Sequence, residues 1–355
     1  MNLDEPSWWY GKRDGDWRIG ALRPAAAIYG AAVERRWRQA RAATAELPVV
    51  CVGNFTAGGT GKTPLALRLA ALAAELGGRP AFLSRGYGGS ERGPVVVAPG
   101  LHHARDVGDE PLLLSRAHPT IVARDRPSGA RLAAALAPRP SLLIMDDGLQ
   151  NPSLAKALTL AVVDGQRGFG SGEVIPAGPL RAPLAFQFTL ADAIVVNLPC
   201  PEAAGEEGER RGHGMLEYLR TSFAGPVLAA WPEPAEDVRA LAGTRVVAFA
   251  GIGNPARFFD LLRRVGADVA EAVAFRDHQI LVEGDALRLT TLARRHGARL
   301  VTTEKDWVRV HGARPGTALA EVAVSSLPAR ITLEMTDADR KRLVALLAPV
   351  MARAS

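Results

Sequence analysis

Mainly apolar runs, most with polar residues only at their ends, recur along the first half of this chain, at 49–52, 81–84, 120–123, 141–147, 158–164 and 192–197. Each has the length and continuity of a strand buried on both faces. Between them lie segments of helical period. The clearest places Leu65, Leu69, Leu72 and Leu76 on one face, and an alanine-rich stretch occupies 128–137. The second half repeats the alternation, with strands predicted at 226–231, 244–250, 268–275 and 299–303 and a helix over about 284–296. Strand–helix alternation of this kind predicts an α/β fold with mainly parallel sheet flanked by helices. A polar, charged stretch at 200–214 reads as an exposed insertion. The pattern predicts an N-terminal helical segment (1–45), a core domain (46–225) and a smaller C-terminal α/β lobe (226–355).

The stretch after the first run carries the first chemistry. Thr56-Ala57-Gly58-Gly59-Thr60-Gly61-Lys62-Thr63 joins strand to helix. Glycines there let backbone N–H groups close around an anion, and the helix N-terminus adds partial positive charge. This is a phosphate loop, and the fold is then of the P-loop NTPase type. Lys62 is predicted to reach the β- and γ-phosphates of a nucleoside triphosphate, and the Thr63 hydroxyl to ligate Mg2+. Pro64 suits the first helical turn, where its missing N–H costs nothing. The usual pattern has glycine at position 56, and this chain has Thr56.

A second signal is SLLIMDD, residues 141–147, an apolar run ending in Asp146 and Asp147. A strand that delivers carboxylates beside a phosphate loop supplies Mg2+ ligands. Long segment 165–183 has little regular pattern but holds five glycines, Arg167 and Arg181; irregular loops of that length in compact domains are usually functional or disordered. Arg85 and Tyr87 sit among glycines after another strand, placed to touch a ligand or only to shape a turn. Asp109 and Glu110 precede an apolar helix start, so capping and chemistry are both open to them. His278 lies in a polar turn, ordinarily a surface position.

Composition narrows the classes. The chain has 355 residues, 48% hydrophobic and 23% charged, an ordinary globular balance. Two cysteines make no disulfide framework, which suits a reducing cytosol, and the seven histidines lack the spacing of a zinc site. The start, MNLDEPSWWY, lacks the basic region of a signal peptide, and no run approaches the roughly 18 apolar residues of a spanning helix. Of the net +6, residues 12–41 carry +5, from eight Lys/Arg and three Asp/Glu. Four of the six tryptophans also fall in the first 37 residues. Residues 19–38 can place Ile19, Leu22, Ala26, Tyr29, Val33 and Trp37 on one helical face, with Pro24 confining the regular part to its C-terminal side. A basic, Trp-rich amphipathic segment is suited to a membrane interface. The alternative is a helix packed on its own domain. Basic residues do not recur along the chain, so nucleic acid is not the expected partner.

Eight motifs in order resemble the tetraacyldisaccharide 4′-kinase family, the lipid A 4′-kinases of Gram-negative bacteria. They are VGNFTAGGTGKTP (52–64), SRGYGG (84–89), VGDEPLLL (107–114), MDDGLQ (145–150), DGQRGFGSG…PAGPLR (164–181), FAGIGNPARFF (249–259), FRDH (275–278) and TTEKDWVR (302–309). In that family Thr at position 56 is habitual. The resemblance implies transfer of the ATP γ-phosphoryl group to the 4′-hydroxyl of a tetraacylated glucosamine disaccharide 1-phosphate, giving lipid IVA. It also implies a peripheral enzyme on the cytoplasmic face of the inner membrane, with no obligatory protein partner inferred. Asp109 and His278 are then the dyad acting on the acceptor hydroxyl, and Arg181 and Arg85 contact phosphate or the transition state. With Asp109 before the break and His278 after it, the site is expected between lobes whose closure excludes water. Asn151 replaces the usual His after DDGLQ, and Ala182 replaces the acid of PLREP. A partitioning-type ATPase switch would carry Lys where this chain has Ala57. A GTPase would want Asn-Lys-x-Asp, whereas Asn197 is followed by Leu198-Pro199. A membrane-docked nucleotide-binding regulator is the third alternative.

Overall fold

Six consecutive buried residues, VVCVGN, form β1 (Val49–Asn54). Such a strand needs sheet on both edges and helices on both faces. The computed structural model describes residues 5–11, 16–200, 205–253, 255–276, 279–311 and 316–352. After β1 the described strands are β2 (Pro80–Ser84), β3 (Val95–Val96), β4 (Thr120–Val122), β5 (Leu142–Asp146), β6 (Leu158–Asp164), β7 (Ala193–Asn197), β8 (Val227–Pro234), β9 (Arg245–Ala250), β10 (Asp268–Ala274), β11 (Arg299–Thr303), β12 (Ser326–Ala329) and β13 (Ile331–Met335).

The chain forms two compact units. The first comprises residues 1–85, 123–232 and 333–355, and the second 86–122 and 233–332. The contiguous division predicted from the sequence is thus replaced by an interleaved one. A reason lies in helix Asp109–Ser115, which packs on helix Glu304–Val310. Val107, Leu112 and Val122 share one apolar cluster with Val308. Local alternation of strand and helix cannot reveal which distant helix a segment covers.

In the first unit, six parallel strands run in the order β8-β7-β6-β1-β5-β2. From β1 the chain moves to β2 on one side, and from β5 it crosses back to β6 on the other. The order therefore reverses beside β1, and ligands bind at the strand C-termini at such a point. The phosphate loop emerges there. Phe55 follows β1 and anchors the loop in the core, edge-on to Phe169 at 5.9 Å and Phe188 at 5.5 Å. Helix Asp337–Ala352 belongs to this unit, burying Leu343 and Leu347. Thr336 caps it, accepting from Asp339 N–H at 3.1 Å.

Two helices differ from expectation. Helix Trp17–Gln39 runs unbroken through Pro24, because Pro24 and the Gly20 whose carbonyl it deprives of a partner are both exposed. It buries Ile19, Ala26 and Gly30, while Trp17 and Ile28 stand 78% and 73% exposed. Residues 205–214 are the start of helix Gly205–Ser222 rather than an irregular insertion. Its charged first turns hide the period, and only Gly212, Leu216 and Leu219 are buried.

The second unit has a parallel sheet, β10-β9-β11-β12, and an antiparallel pair of β3 and β4. Apolar clusters lie on both sides of β9: Val246 and Ala248 with Phe258 and Leu262, Val247 and Phe249 with Leu289 and Leu300.

Phe55→Ala should cost about 3–5 kcal/mol of stability, as buried aromatic truncations do. Urea unfolding followed by tryptophan fluorescence and circular dichroism measures this, and a loss below about 1 kcal/mol would show that the loop is anchored elsewhere.

Candidate active site

Gly61 ends the phosphate loop at φ 99° and Gly58 turns it at φ 92°, both in the left-handed region. A Cβ on Gly61 would also come within 2.6 Å of Asn197 Nδ2. That nitrogen donates to Thr60 O at 3.0 Å, and Asn54 Nδ2 donates to Gly58 O at 3.2 Å. Two asparagines from the ends of β1 and β7 thus set the loop's carbonyls, leaving its form to glycine. Lys62 opens helix Lys62–Glu75 and curls back, its buried Nζ 3.5 Å from Gly58 O and 3.9 Å from Asp147 Oδ1.

Thr56 needs no left-handed backbone. It forms an antiparallel bridge with Leu180, and Ala57 N–H donates to Pro179 O at 2.7 Å. Segment 165–183 therefore wraps the first half of the phosphate loop. Arg181 completes the join: Nε–H donates to Thr56 O at 3.0 Å and Nη1–H to Asp147 Oδ1 at 2.9 Å.

Asp146 and Asp147 play different structural parts. Asp146 ends β5, fully buried, and pairs in register with Val52 of β1. Asp147 follows at φ 53°, half-buried and engaged by Lys62 and Arg181. Burial opposes its charge, but Lys62 and Arg181 outweigh burial and hold its carboxyl below the usual range. Thr63 and Asp146 offer hard oxygen donors in small number, which fits Mg2+, an ion that keeps water and phosphate oxygens as its other ligands. Buried Thr60 Oγ1, Asn54 Oδ1 and Asn197 Oδ1, which border the loop, have no hydrogen-bond partner among the described residues, a polar lining suited to phosphate. Among the described residues no cluster of three or more His, Cys, Asp or Glu could hold a metal by itself. Cys51 contributes no nucleophile, since burial pushes its thiol up to about 11.

Sequence reasoning passed over Arg126. It is 1% exposed at the first position of helix Arg126–Ala134, and its Nη1–H donates to Ala123 O. Burial and the nearby Arg85 push its pKa down, while Asp147 and Asp146 oppose the shift. A cation at the positive end of a helix is disfavoured. Kept there beside two acids and Lys62, it makes the pocket anion-seeking. The Asp-Arg-Pro start of the helix was the visible signal, but it reads as capping: Asp125 accepts Ser128 N–H at 3.1 Å.

In the second unit, Asp109 opens helix Asp109–Ser115, 7% exposed. It is paired with Arg309, and the adjacent Glu110 accepts from Lys305 Nζ at 2.8 Å. Burial lowers the Lys305 pKa, but Glu110 and Asp109 outweigh it and hold that ammonium above its ordinary value. His278 lies outside the described residues.

The family described as tetraacyldisaccharide-1-P 4′-kinase (LpxK) matches residues 19–348. The chain belongs to that family. A tetraacyldisaccharide 4′-kinase of Methylorubrum extorquens strain PA1 is 51% identical over 323 residues, 90% of this chain and 91% of the relative. One from Rhodopseudomonas palustris strain BisB18 is 47% identical, covering 96% of this chain and 94% of its own. A crystal structure of LpxK from Aquifex aeolicus in complex with ATP superposes with TM-score 0.70 at 22% identity, covering 94% and 99% of the two chains. The P-loop kinase fold is therefore shared.

Two positions of this 4′-kinase that leave the family pattern have local explanations. Asn151 Oδ1 accepts from Ser153 N–H at 2.9 Å and Ser153 Oγ–H at 2.7 Å, shaping the turn after the acidic pair. Ala182 is fully buried, and its carbonyl accepts Gln187 Nε2–H at 2.7 Å. Gln187 also donates to Phe55 O at 3.1 Å, so the position serves the loop's foundation.

Gly61→Ala should leave the fold assembled at a cost of about 1–2 kcal/mol, the penalty of a left-handed non-glycine residue. Nucleotide affinity, read by calorimetry, should fall at least about tenfold, since ligand sites lose most when loop geometry shifts by an ångström. Unchanged affinity would remove the tight Gly61–Asn197 approach from the determinants of binding.

Proposed function

We propose that the enzyme transfers the ATP γ-phosphoryl group to the 4′-hydroxyl of tetraacyldisaccharide 1-phosphate, which yields lipid IVA. The enzyme is an ATP-dependent 4′-kinase of lipid A biosynthesis. The observation that carries this reading is the family match over 19–348 in a chain whose phosphate cradle is complete in its residues.

Phosphoryl transfer asks the protein mostly for positioning and charge neutralisation. Residues Thr56 to Thr63 cradle the nucleotide phosphates with backbone N–H groups, and Lys62 neutralises charge on the β- and γ-oxygens. Thr63 and Asp146 would hold Mg2+, with Asp147 beside them setting Lys62 and Arg181. An ion held there would supply charge neutralisation at the phosphate oxygens. Arg181 stabilises charge on the transferring group. The acceptor oxygen bonds to the γ-phosphorus, the bond from phosphorus to the β–γ bridging oxygen breaks, and ADP leaves. Asp109 and His278 take up the hydroxyl proton as a pair, Asp109 fixing the imidazole that receives it.

The acceptor is a lipid, and we place the enzyme peripherally on the cytoplasmic face of the inner membrane. No helix among the described residues is long and apolar enough to cross a membrane. The support is helix Trp17–Gln39, whose outer edge carries exposed Trp17, Ala21, Ala25 and Ile28 with Arg18 and Arg23 beside them. Its inner face is committed to its own unit: Gly30 packs on Pro183, and Trp37 is edge-on to Phe186 at 6.1 Å. Apolar edge and flanking cations are what an interfacial helix requires.

Incubation with γ-labelled ATP, Mg2+ and detergent-dispersed tetraacyldisaccharide 1-phosphate should put label into the lipid. Lys62→Ala and His278→Ala should each abolish it, by at least about 100-fold. Label appearing only as phosphate in water, whether or not lipid is added, would overturn the kinase reading in favour of an ATPase. Separately, Trp17→Glu with Ile28→Glu should weaken sedimentation with anionic phospholipid vesicles by at least about tenfold and leave nucleotide affinity unchanged. Equal sedimentation would place the membrane contact elsewhere.

A further inference from the structure

Asp109 is one end of a buried network confined to the second unit. Its Oδ1 accepts the backbone N–H of Glu110 at 3.0 Å. Its Oδ2 accepts from Arg309 twice, from Nε–H at 3.2 Å and Nη2–H at 2.5 Å. The Arg309 side chain is 9% exposed, and its remaining edge is also used. Nη1–H donates to Gly251 O at 2.8 Å and to Asp306 Oδ1 at 2.7 Å. Asp306 in turn accepts Gly251 N–H at 3.0 Å and Thr303 Oγ1–H at 2.6 Å on its other oxygen. A single planar guanidinium therefore joins the start of helix Asp109–Ser115, the loop after β9 and helix Glu304–Val310.

We propose that Arg309, itself locked by Asp306 and Gly251, is the positioning residue that fixes Asp109 for acceptor activation. The proposal rests on the reading of Asp109 as the carboxylate that acts with His278. A buried carboxylate with no cation beside it takes up a proton and turns freely between acceptors. Arg309 removes both freedoms, since its forked donors hold one oxygen of Asp109 while the helix N-terminus holds the other. With Asp109 kept as an anion in one orientation, the proton of the acceptor hydroxyl finishes on the imidazole. Lysine cannot replace it fully, because a point charge on a flexible stem does not span three acceptors on three segments. Of the nearby charges, Lys305 is committed to Glu110 at 2.8 Å, and Asp306 shares Arg309 with Asp109, so three carboxylates meet two cations.

The test is steady-state kinetics of the full-length enzyme on tetraacyldisaccharide 1-phosphate in mixed micelles, for Arg309→Gln, Arg309→Lys, Asp306→Asn, Asp109→Asn and the pair Asp109→Asn with Arg309→Gln. Arg309→Gln should lower kcat by about 100-fold with the KM for ATP unchanged, the signature of lost alignment rather than lost binding. Arg309→Lys should recover part of that loss. In the Asp109→Asn background, Arg309→Gln should cost no further activity, because the two act as one unit. Should Arg309→Gln fail to fold, Arg309→Lys and Asp306→Asn carry the test, each expected to lose about tenfold in kcat at unchanged KM for ATP. The proposal is overturned if Asp109→Asn is inactive while the Arg309 and Asp306 variants keep wild-type kcat, or if the paired losses multiply. Full activity of Asp109→Asn would instead sink the reading of Asp109 on which the proposal rests.

Discussion

The constraint on which the nucleotide-binding unit depends is a surplus of buried positive charge at the C-terminal ends of β1 and β5. Lys62, Arg126 and Arg181 converge there on two adjacent carboxylates, Asp146 and Asp147. Cations brought together out of water repel and pay desolvation. Asp147 offsets part of that by pairing with Lys62 and Arg181, and the bond to Arg181 pulls segment 165–183 onto the phosphate loop. The remaining excess is what an anionic ligand neutralises. The Arg181 ion pair thus joins the Thr56–Leu180 bridge and the Ala57–Pro179 backbone bond in ordering a segment that has almost no secondary structure.

Beneath this charge lies an apolar foundation. Phe55, Phe169, Phe188 and Phe223 meet edge to face under the loop, and Gln187 ties the Phe55 and Ala182 carbonyls. Aromatic edges packed at such angles tolerate little displacement. The same residues that build the core thus set where Thr56 and Ala57 run, which is why glycine is dispensable at position 56.

Much of the fold was legible in the sequence for a plain reason. Strands buried on both faces must be largely apolar, and Val49–Asn54 and Leu142–Asp146 show no charged or hydroxyl side chain until their ends, while Leu158–Asp164 admits only Thr159 before its own. The phosphate loop and Asp146-Asp147 were legible because their chemistry is local, a few residues at fixed spacing. Arg126 and Arg309 were not. Each is an ordinary charged residue on a helix, and only its burial beside residues far away in sequence gives it meaning. Arg309 lies 200 positions from Asp109. Helix Gly205–Ser222 was hidden differently, since a helix burying three residues shows no strong period. Asp109 was read through resemblance, its local setting being that of a cap.

The interleaving of the two units has a consequence for the order in which the protein can be made. The phosphate loop leaves the ribosome early, yet the unit that holds it is finished by Leu343 and Leu347 of helix Asp337–Ala352, which emerge after the entire second unit. Arg340 of that helix reaches Glu75, at the end of the helix that Lys62 begins. A nascent chain stalled between residues 200 and 343 carries every phosphate-binding residue and still lacks part of the core behind them. Assembly of the nucleotide-binding unit in this way waits for a helix that follows the whole of the second unit in the chain.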